Sequence, residues 1–181
     1  MTSRERIWAA ITHQPVDRVP AMIWATPEVR QMLLQHFRTD DWAVVEEILG
    51  VDGIAHVPLR YAGPGFTGPD GGPAGLWGVQ TRRITLPTGG SYSERTHAPM
   101  AEFTEIAEVE DFDFGDPSHW DFAAAAQFCR EQHPRKVVMA GYMAPYVDLW
   151  SLFGEECALL NIGLRPELIE AVLDRVMDYR L

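Results

Sequence analysis

Long apolar stretches are missing from this 181-residue chain, and no window approaches the ~18 uninterrupted apolar residues that a membrane-spanning helix needs. The N-terminal Met-Thr-Ser-Arg-Glu-Arg is charged and carries no apolar signal segment, so neither secretion nor membrane insertion is expected. Cysteine is scarce. Cys129 and Cys157 are too few for a disulfide framework and ordinary for reduced thiols, which makes the cytoplasm the expected setting. Positive charge is short as well: 15 Lys+Arg face 26 Asp+Glu, and the formal net charge of -11 repels phosphate backbones. No nucleic-acid partner is expected. Low-complexity tracts and solenoid repeats are also absent. What is present is 46% hydrophobic and 10% aromatic residues, enough for a core, so one globular domain over 1–181 is expected.

Thr2 and Glu5 have capping-box spacing, and Ile7, Trp8 and Ile11 recur at helical intervals before Pro15. The uncharged run 19–24 reads as a first strand buried on both faces. Thr26-Pro27 opens a helix whose Val29, Met32, Leu33 and Phe37 form an apolar face. Asp40 is placed to cap a further helix that buries Val44, Val45, Ile48 and Leu49, and Gly50 to end it. Residues 51–58 read as a second strand. From 59 to 75 glycine and proline are too dense for regular structure, and a loop is expected. Residues 77–86 and 90–96, joined at Thr88-Gly89-Gly90, predict an appended hairpin, so that 59–100 is an excursion from the main sheet. Between Glu102 and Asp116, acids alternate with Phe103, Ile106, Val109, Phe112 and Phe114, a surface segment with apolar anchors. A helix over 120–132, a strand over 136–141 and helices over 145–153 and 155–164 follow. The last helix opens at Pro166 and carries a stripe of Leu168, Ile169, Val172, Leu173 and Val176.

Strands alternating with helices imply an α/β fold with a parallel sheet and right-handed crossovers. Only three core strands are read, whereas a closed eight-stranded barrel typically takes about 250 residues, so a barrel here would be incomplete. The opening Thr2-Ser3-Arg4-Glu5-Arg6 through His13-Gln14-Pro15-Val16-Asp17-Arg18-Val19-Pro20 resembles the uroporphyrinogen decarboxylase superfamily. Leu76-Trp77-Gly78-Val79, Gly89-Gly90-Ser91-Tyr92 and His97-Ala98-Pro99-Met100 are similar to its cobalamin-dependent methyltransferase branch, and 154–178, with Arg165-Pro166-Glu167-Leu168, extends the likeness across nearly the whole chain. The resemblance implies the N-terminal portion of a (β/α)8 TIM barrel of the uroporphyrinogen decarboxylase type, incomplete and carrying an inserted β-hairpin.

Departures from the family choose between its chemistries. Decarboxylases follow their first strand with two arginines for the tetrapyrrole carboxylates, whereas this chain reads Trp24-Ala25-Thr26-Pro27-Glu28-Val29. Their ring-anchoring aspartate also has no counterpart, since no carboxylate occurs between Gly53 and Pro69. The resemblance therefore implies a corrinoid-dependent methyltransferase or demethylase acting on a small methylated substrate, with uroporphyrinogen decarboxylation as the alternative. That branch uses zinc, held by His-x-Cys and a distant Cys, to activate a thiol, and works with a protein-bound corrinoid. No His-x-Cys occurs here, so the chain is expected to be inactive alone and to pair as a homodimer or with a complementary chain. A noncatalytic half-barrel serving as a binding or assembly module is the third reading, because an open sheet leaves an unpaired edge and an apolar face.

Barrel sites form at the carboxyl ends of strands, which selects Trp24 and Thr26, then His56 and Arg60, then Tyr142 and Met143 as substrate-binding candidates. A histidine such as His56 within a short apolar strand is more often a hydrogen-bonded core residue. Arg60 suits a sulfonate or carboxylate, or is a solvated loop residue. Tyr142 and Met143 shape a pocket wall or fill space beneath a helix. Tyr92 and His97 on the hairpin are candidates for a lid, the alternative being a structural or dimer-contact role. Cys129 and His133 stand at i, i+4, but two ligands do not make a metal site, and none is expected within this chain. The six tryptophans read as core or interface bulk.

Overall fold

The computed structural model describes residues 1–87, 89–141 and 144–180. In chain order the elements are α1 (Ser3–Ile11), α2 (Pro27–Phe37), α3 (Trp42–Ile48), β1 (Ala55–His56), β2 (Phe66–Thr67), β3 (Pro73–Ala74), β4 (Gln80–Thr85) and β5 (Ser91–His97). They continue with α4 (Ile106–Glu110), α5 (Phe122–Gln132), β6 (Val138–Met139), α6 (Pro145–Phe153), α7 (Glu155–Leu164) and α8 (Pro166–Arg180). The fold is mixed α/β and mostly helical. Its strands pair only two by two, and the described residues form no closed barrel. Among them no helix is long and apolar enough to cross a membrane. The chain divides into two compact units, Met1–Arg60 with Asp121–Gly141, and Tyr61–Trp120 with the C-terminal helices.

In the first unit α1 begins as the sequence predicts. The Thr2 hydroxyl accepts from the Glu5 N–H at 3.2 Å and the Glu5 carboxylate accepts from the Thr2 N–H at 2.9 Å, so two otherwise unpaired helix-end donors are met reciprocally. Thr26 caps α2 with Pro27 in the first turn. The cap of α3 is Asp41, not Asp40, because the Asp41 carboxylate is the one that reaches the Ala43 N–H, at 2.8 Å. Strand β1 pairs parallel with β6, Ala55 opposite Val138 and His56 opposite Met139, with α5 leading into β6.

The strand expected over 19–24 does not form. Val19 is 81% and Trp24 98% exposed. A strand needs a ladder, and here a side chain occupies the place of one. Ala21 accepts from the Asp52 backbone N–H at 2.7 Å, while its own N–H donates to the Asp52 carboxylate at 2.9 Å. The apolar faces expected on α2 and α3 are also largely open, since α2 buries none of its residues and α3 buries only Val45 and Glu46. Glu46 is ion-paired to Lys136 and lies against Gly53. Gly53 has φ +65°, and a Cβ there would meet the Glu46 carboxylate at 2.6 Å, so only glycine fits both the turn and the neighbour.

The apolar core lies in the second unit. Trp77, Met100, Val109, Phe114, Leu152 and Val172 belong to one buried cluster to which α6, α7 and α8 all contribute. The stripe on α8 buries Leu168, Ile169, Val172 and Val176 as predicted, and Tyr179 continues it. In the acidic segment Val109 and Phe114 are buried, and Phe103 and Phe112 pack against the core, but Ile106 is exposed. The predicted hairpin is β4 with β5, antiparallel, Ile84 opposite Tyr92, with an irregularity between Gln80 and Thr81. The stretch read as a structureless loop holds a smaller one, β2 with β3, in which Gly71 at φ +75° makes the turn that the breakers permit.

Leu152 is wholly buried. Leu152→Ala is expected to cost about 3 kcal/mol through lost burial and the cavity left behind, and Met32→Ala on open α2 to stay within about 0.5 kcal/mol, both read from urea unfolding.

Candidate functional site

The motif from His13 to Pro20 resolves into an ionic network. Arg6 forks onto Asp17, Nε to Oδ1 at 2.6 Å and Nη2 to Oδ2 at 2.9 Å, and its Nη1 is ion-paired with Asp52. Arg18 reaches the Asp52 carboxylate from another side at 2.8 and 3.2 Å and also donates to the Gly50 carbonyl. The side chain of Asp52 is 1% exposed. Burial opposes its charge, but the Ala21 N–H and the two guanidiniums outweigh that and hold its carboxyl below the usual range. Hydrogen bonds from Arg6 hold Asp17 well below it too. These charges satisfy one another and tie α1, the following loop and the turn after α3 together. The network positions backbone, with Asp52 and Arg6 buried and Asp17 and Arg18 partly exposed at its edge.

Two clefts open in the second unit, on a shared wall made by Trp77. Trp77 is 3% exposed and adopts a left-handed backbone, φ 61° and ψ 20°, a conformation a bulky side chain holds only when its surroundings enforce it. They do so here. Its indole N–H donates to the Phe114 carbonyl at 3.0 Å, and its ring meets Phe114 and Tyr179 edge-on at 5.7 and 5.5 Å. The first cleft, about 350 Å³, is lined by Leu76, Trp77, Thr81, Asp148, Ser151 and Arg180 among others. Arg180 pairs with Asp148 at 2.7 Å, and burial pushes the Asp148 carboxyl up in spite of that partner. The second cleft, about 430 Å³, collects Phe66, Trp77, His97, Phe112 and Asp113.

The candidates from the sequence fall in several places. Trp24 is exposed, and with no strand before it the premise that placed it at a barrel mouth is gone. The Thr26 hydroxyl is the cap of α2, accepting from Val29 at 3.4 Å. His56 is exposed beside buried Ala55, so the core-histidine reading does not describe it. Arg60 is exposed, its carbonyl accepting from the Asp121 N–H at 2.9 Å. Among the described residues no hydrogen bond, ion pair or ring contact joins any two of these four. Tyr142 and Met143 lie outside the described residues. Tyr92 is exposed on β5, whereas His97, half-buried at the end of β5, lines the second cleft. His133 is 3.1 Å from an Arg4 guanidinium nitrogen through Nε2, and the described residues contain no group of three His, Cys, Asp or Glu arranged to hold a metal.

Sequence reasoning passed over Asp148, Ser151, Arg180 and Arg95. The Arg95 guanidinium donates to the Ser151 hydroxyl at 3.2 Å and lies over the Trp150 ring at 4.8 Å. The only local signal was alternation along β5, which puts Ser93 and Arg95 on one face, while the irregularity between Gln80 and Thr81 turns His97 to the other. No protein-family model, curated protein or solved structure matches this chain.

Because Asp17 and Asp52 titrate lower in the folded protein than in the unfolded chain, their contribution is fully present above about pH 4 and is lost as pH falls toward the folded-state values. Asp148 has the opposite sign, its protonated form favouring the folded state. Asp52→Ala, which leaves Arg6 paired with Asp17 but takes a buried acceptor from Arg6, Arg18 and the Ala21 N–H, is expected to cost about 1–3 kcal/mol at pH 7 and to flatten the acid limb of the stability profile, measured by urea unfolding across pH.

Proposed function

We propose that this chain is part of a uroporphyrinogen decarboxylase-type barrel of the corrinoid-dependent methyltransferase branch, acting on a small methylated substrate together with a complementary chain and inactive by itself. The observation that carries the reading is the parallel β1–β6 ladder with α5 running into β6, the strand–helix–strand order of neighbouring barrel units. The choice of methyl transfer over decarboxylation rests on the segment from Trp24 to Val29, which offers no guanidinium to a tetrapyrrole carboxylate and uses Thr26 as a helix cap.

Zinc chemistry of that branch needs a thiolate–imidazole donor set, and these residues do not fit it. No His-x-Cys occurs, and His133, the one histidine spaced to join a cysteine, is engaged by Arg4. Activation of a thiol acceptor therefore falls to the complementary chain, and the corrinoid would arrive on its own carrier protein. The test is the absorbance change from methylcob(III)alamin to cob(I)alamin with a thiol acceptor. The expected result is no turnover by the 181-residue chain alone and turnover when it is combined with a co-purifying chain that carries His-x-Cys. Turnover by the chain alone, or formation of coproporphyrinogen from uroporphyrinogen, would overturn the proposal.

A noncatalytic assembly module is the second reading, favoured by the first unit's exposed Val19, Met22, Trp24 and Met32. It expects a dimer or larger species in light scattering and strong binding of an apolar dye. A monodisperse monomer with little dye binding counts against it.

A further inference from the structure

The second cleft gathers an open imidazole, a carboxylate and two phenyl rings. His97 comes to it through a break in the hairpin: Gln80 pairs with His97 but Thr81 with Arg95, and the bulge takes His97 off the face that Arg95 occupies. Its half-buried side chain lines the cleft. Among the described residues neither ring nitrogen has a hydrogen-bond partner, and neither is sealed from solvent, so an imidazole nitrogen is free to accept a ligand N–H. Asp113 lines the same cleft. One of its carboxylate oxygens accepts from the Gly115 N–H at 2.8 Å, and the other has no partner among the described residues. Phe66 and Phe112, both half-buried, supply apolar wall. Neighbouring rings fix them, Tyr61 beside Phe66 at 5.8 Å and Phe103 and Phe114 beside Phe112 at 6.0 and 5.0 Å. Gly115, at φ +76°, leaves Phe66 its place, since a Cβ there would come within 3.0 Å of the ring.

The charges around the cleft select the sign of its ligand. Among the described residues that line it none is lysine or arginine. Asp70, next in the chain to the lining residue Pro69, is held below the usual carboxyl range by hydrogen bonds from the Gln80 amide at 2.8 Å and the Gly72 N–H at 2.9 Å, and it feels the charge of His97. Phenyl rings beside a cation add an attraction that they do not give an anion. A volume of about 430 Å³ suits a small molecule. We infer that this cleft binds a small organic ammonium with an apolar body, its N–H groups donated to the Asp113 carboxylate and a His97 ring nitrogen and its body lying against Phe66 and Phe112. The inference stands on the second unit alone and is independent of the methyl-transfer reading.

Benzylamine is the probe, titrated at pH 8 into the full 181-residue chain. NMR follows the backbone amide signals of Gly65, Gly68 and Gly78, which line the cleft, and of Gly163, which lies on α7 outside it. Saturable shifts of the three cleft glycines are expected at millimolar benzylamine, with Gly163 unmoved and neutral benzyl alcohol at least tenfold weaker. His97→Phe should weaken benzylamine at least fivefold, and His97→Gln, which puts back an acceptor, should recover part of the loss. Asp113→Asn, a mild change at an exposed position should His97→Phe fail to fold, should weaken it several-fold. Equal binding of benzylamine and benzyl alcohol, undiminished binding by Asp113→Asn or His97→Phe, or shifts no larger at the cleft glycines than at Gly163 would overturn the inference. So would displacement of benzylamine by equimolar methylamine, which would assign the cleft to cations regardless of an apolar body.

Discussion

Taking a carboxylate such as that of Asp52 out of water costs several kcal/mol before any partner is supplied, and the first unit is organised around that penalty. Arg6 comes from α1, Arg18 from the loop after it and the Ala21 N–H from the extended run beyond. Each contact removes part of the penalty and fixes a different stretch of backbone in doing so. The unit has little else to rely on: Ile7, Val45, Ala55 and Ala125 are its buried apolar residues among those described. A second ion pair, Glu46 with Lys136, brings the end of α3 to the segment before β6. Charge pairing of this kind is directional, so it specifies a chain path more sharply than it stabilises one.

The second unit is built on the opposite principle. Aromatic edges meet aromatic faces around Trp77, and α6 to α8 close over them with leucine, valine and phenylalanine. The left-handed backbone at Trp77 is held by this packing, and the same residue becomes the wall of both clefts. Rigid apolar surroundings are also what leave Arg95 short of polar partners. A cation there is tolerated because Trp150 and Ser151 each take one aspect of it. The two clefts of the second unit thus open beside its buried apolar cluster.

What was legible in the sequence was local. Thr2 with Glu5, Thr26 before Pro27, Pro145 and Pro166 each mark a helix start, because caps and proline act within one turn of themselves. The β4–β5 hairpin was legible for the same reason, as its turn lies between its strands. Apart from the cap of α3, at Asp41 and not Asp40, and the short β2–β3 hairpin, the failures were non-local. Apolarity over 19–24 says that the run would gain from burial, but whether a ladder is there to receive it depends on Asp52, some thirty positions on in the chain. Arg60 and Arg95 look alike in sequence, yet one is exposed after β1 and the other is half-buried against Trp150, a difference made by helix α6 and invisible to spacing. Asp52, Arg6 and Arg18 could be read as charges but not as partners.

The order in which the chain is made bears on the first unit differently from the second. Strand β1 leaves the ribosome ahead of the whole Tyr61–Trp120 stretch, and its partner β6 follows that stretch. At elongation rates of about 5–20 residues per second, β1 waits on the order of several seconds for a mate. During that interval the ion pairs of Asp52 are already available, since Arg6 and Arg18 were made earlier. Charges within the first sixty residues can thus hold a nascent scaffold open until the late strand docks, giving the N-terminal segment the part of a template in co-translational folding.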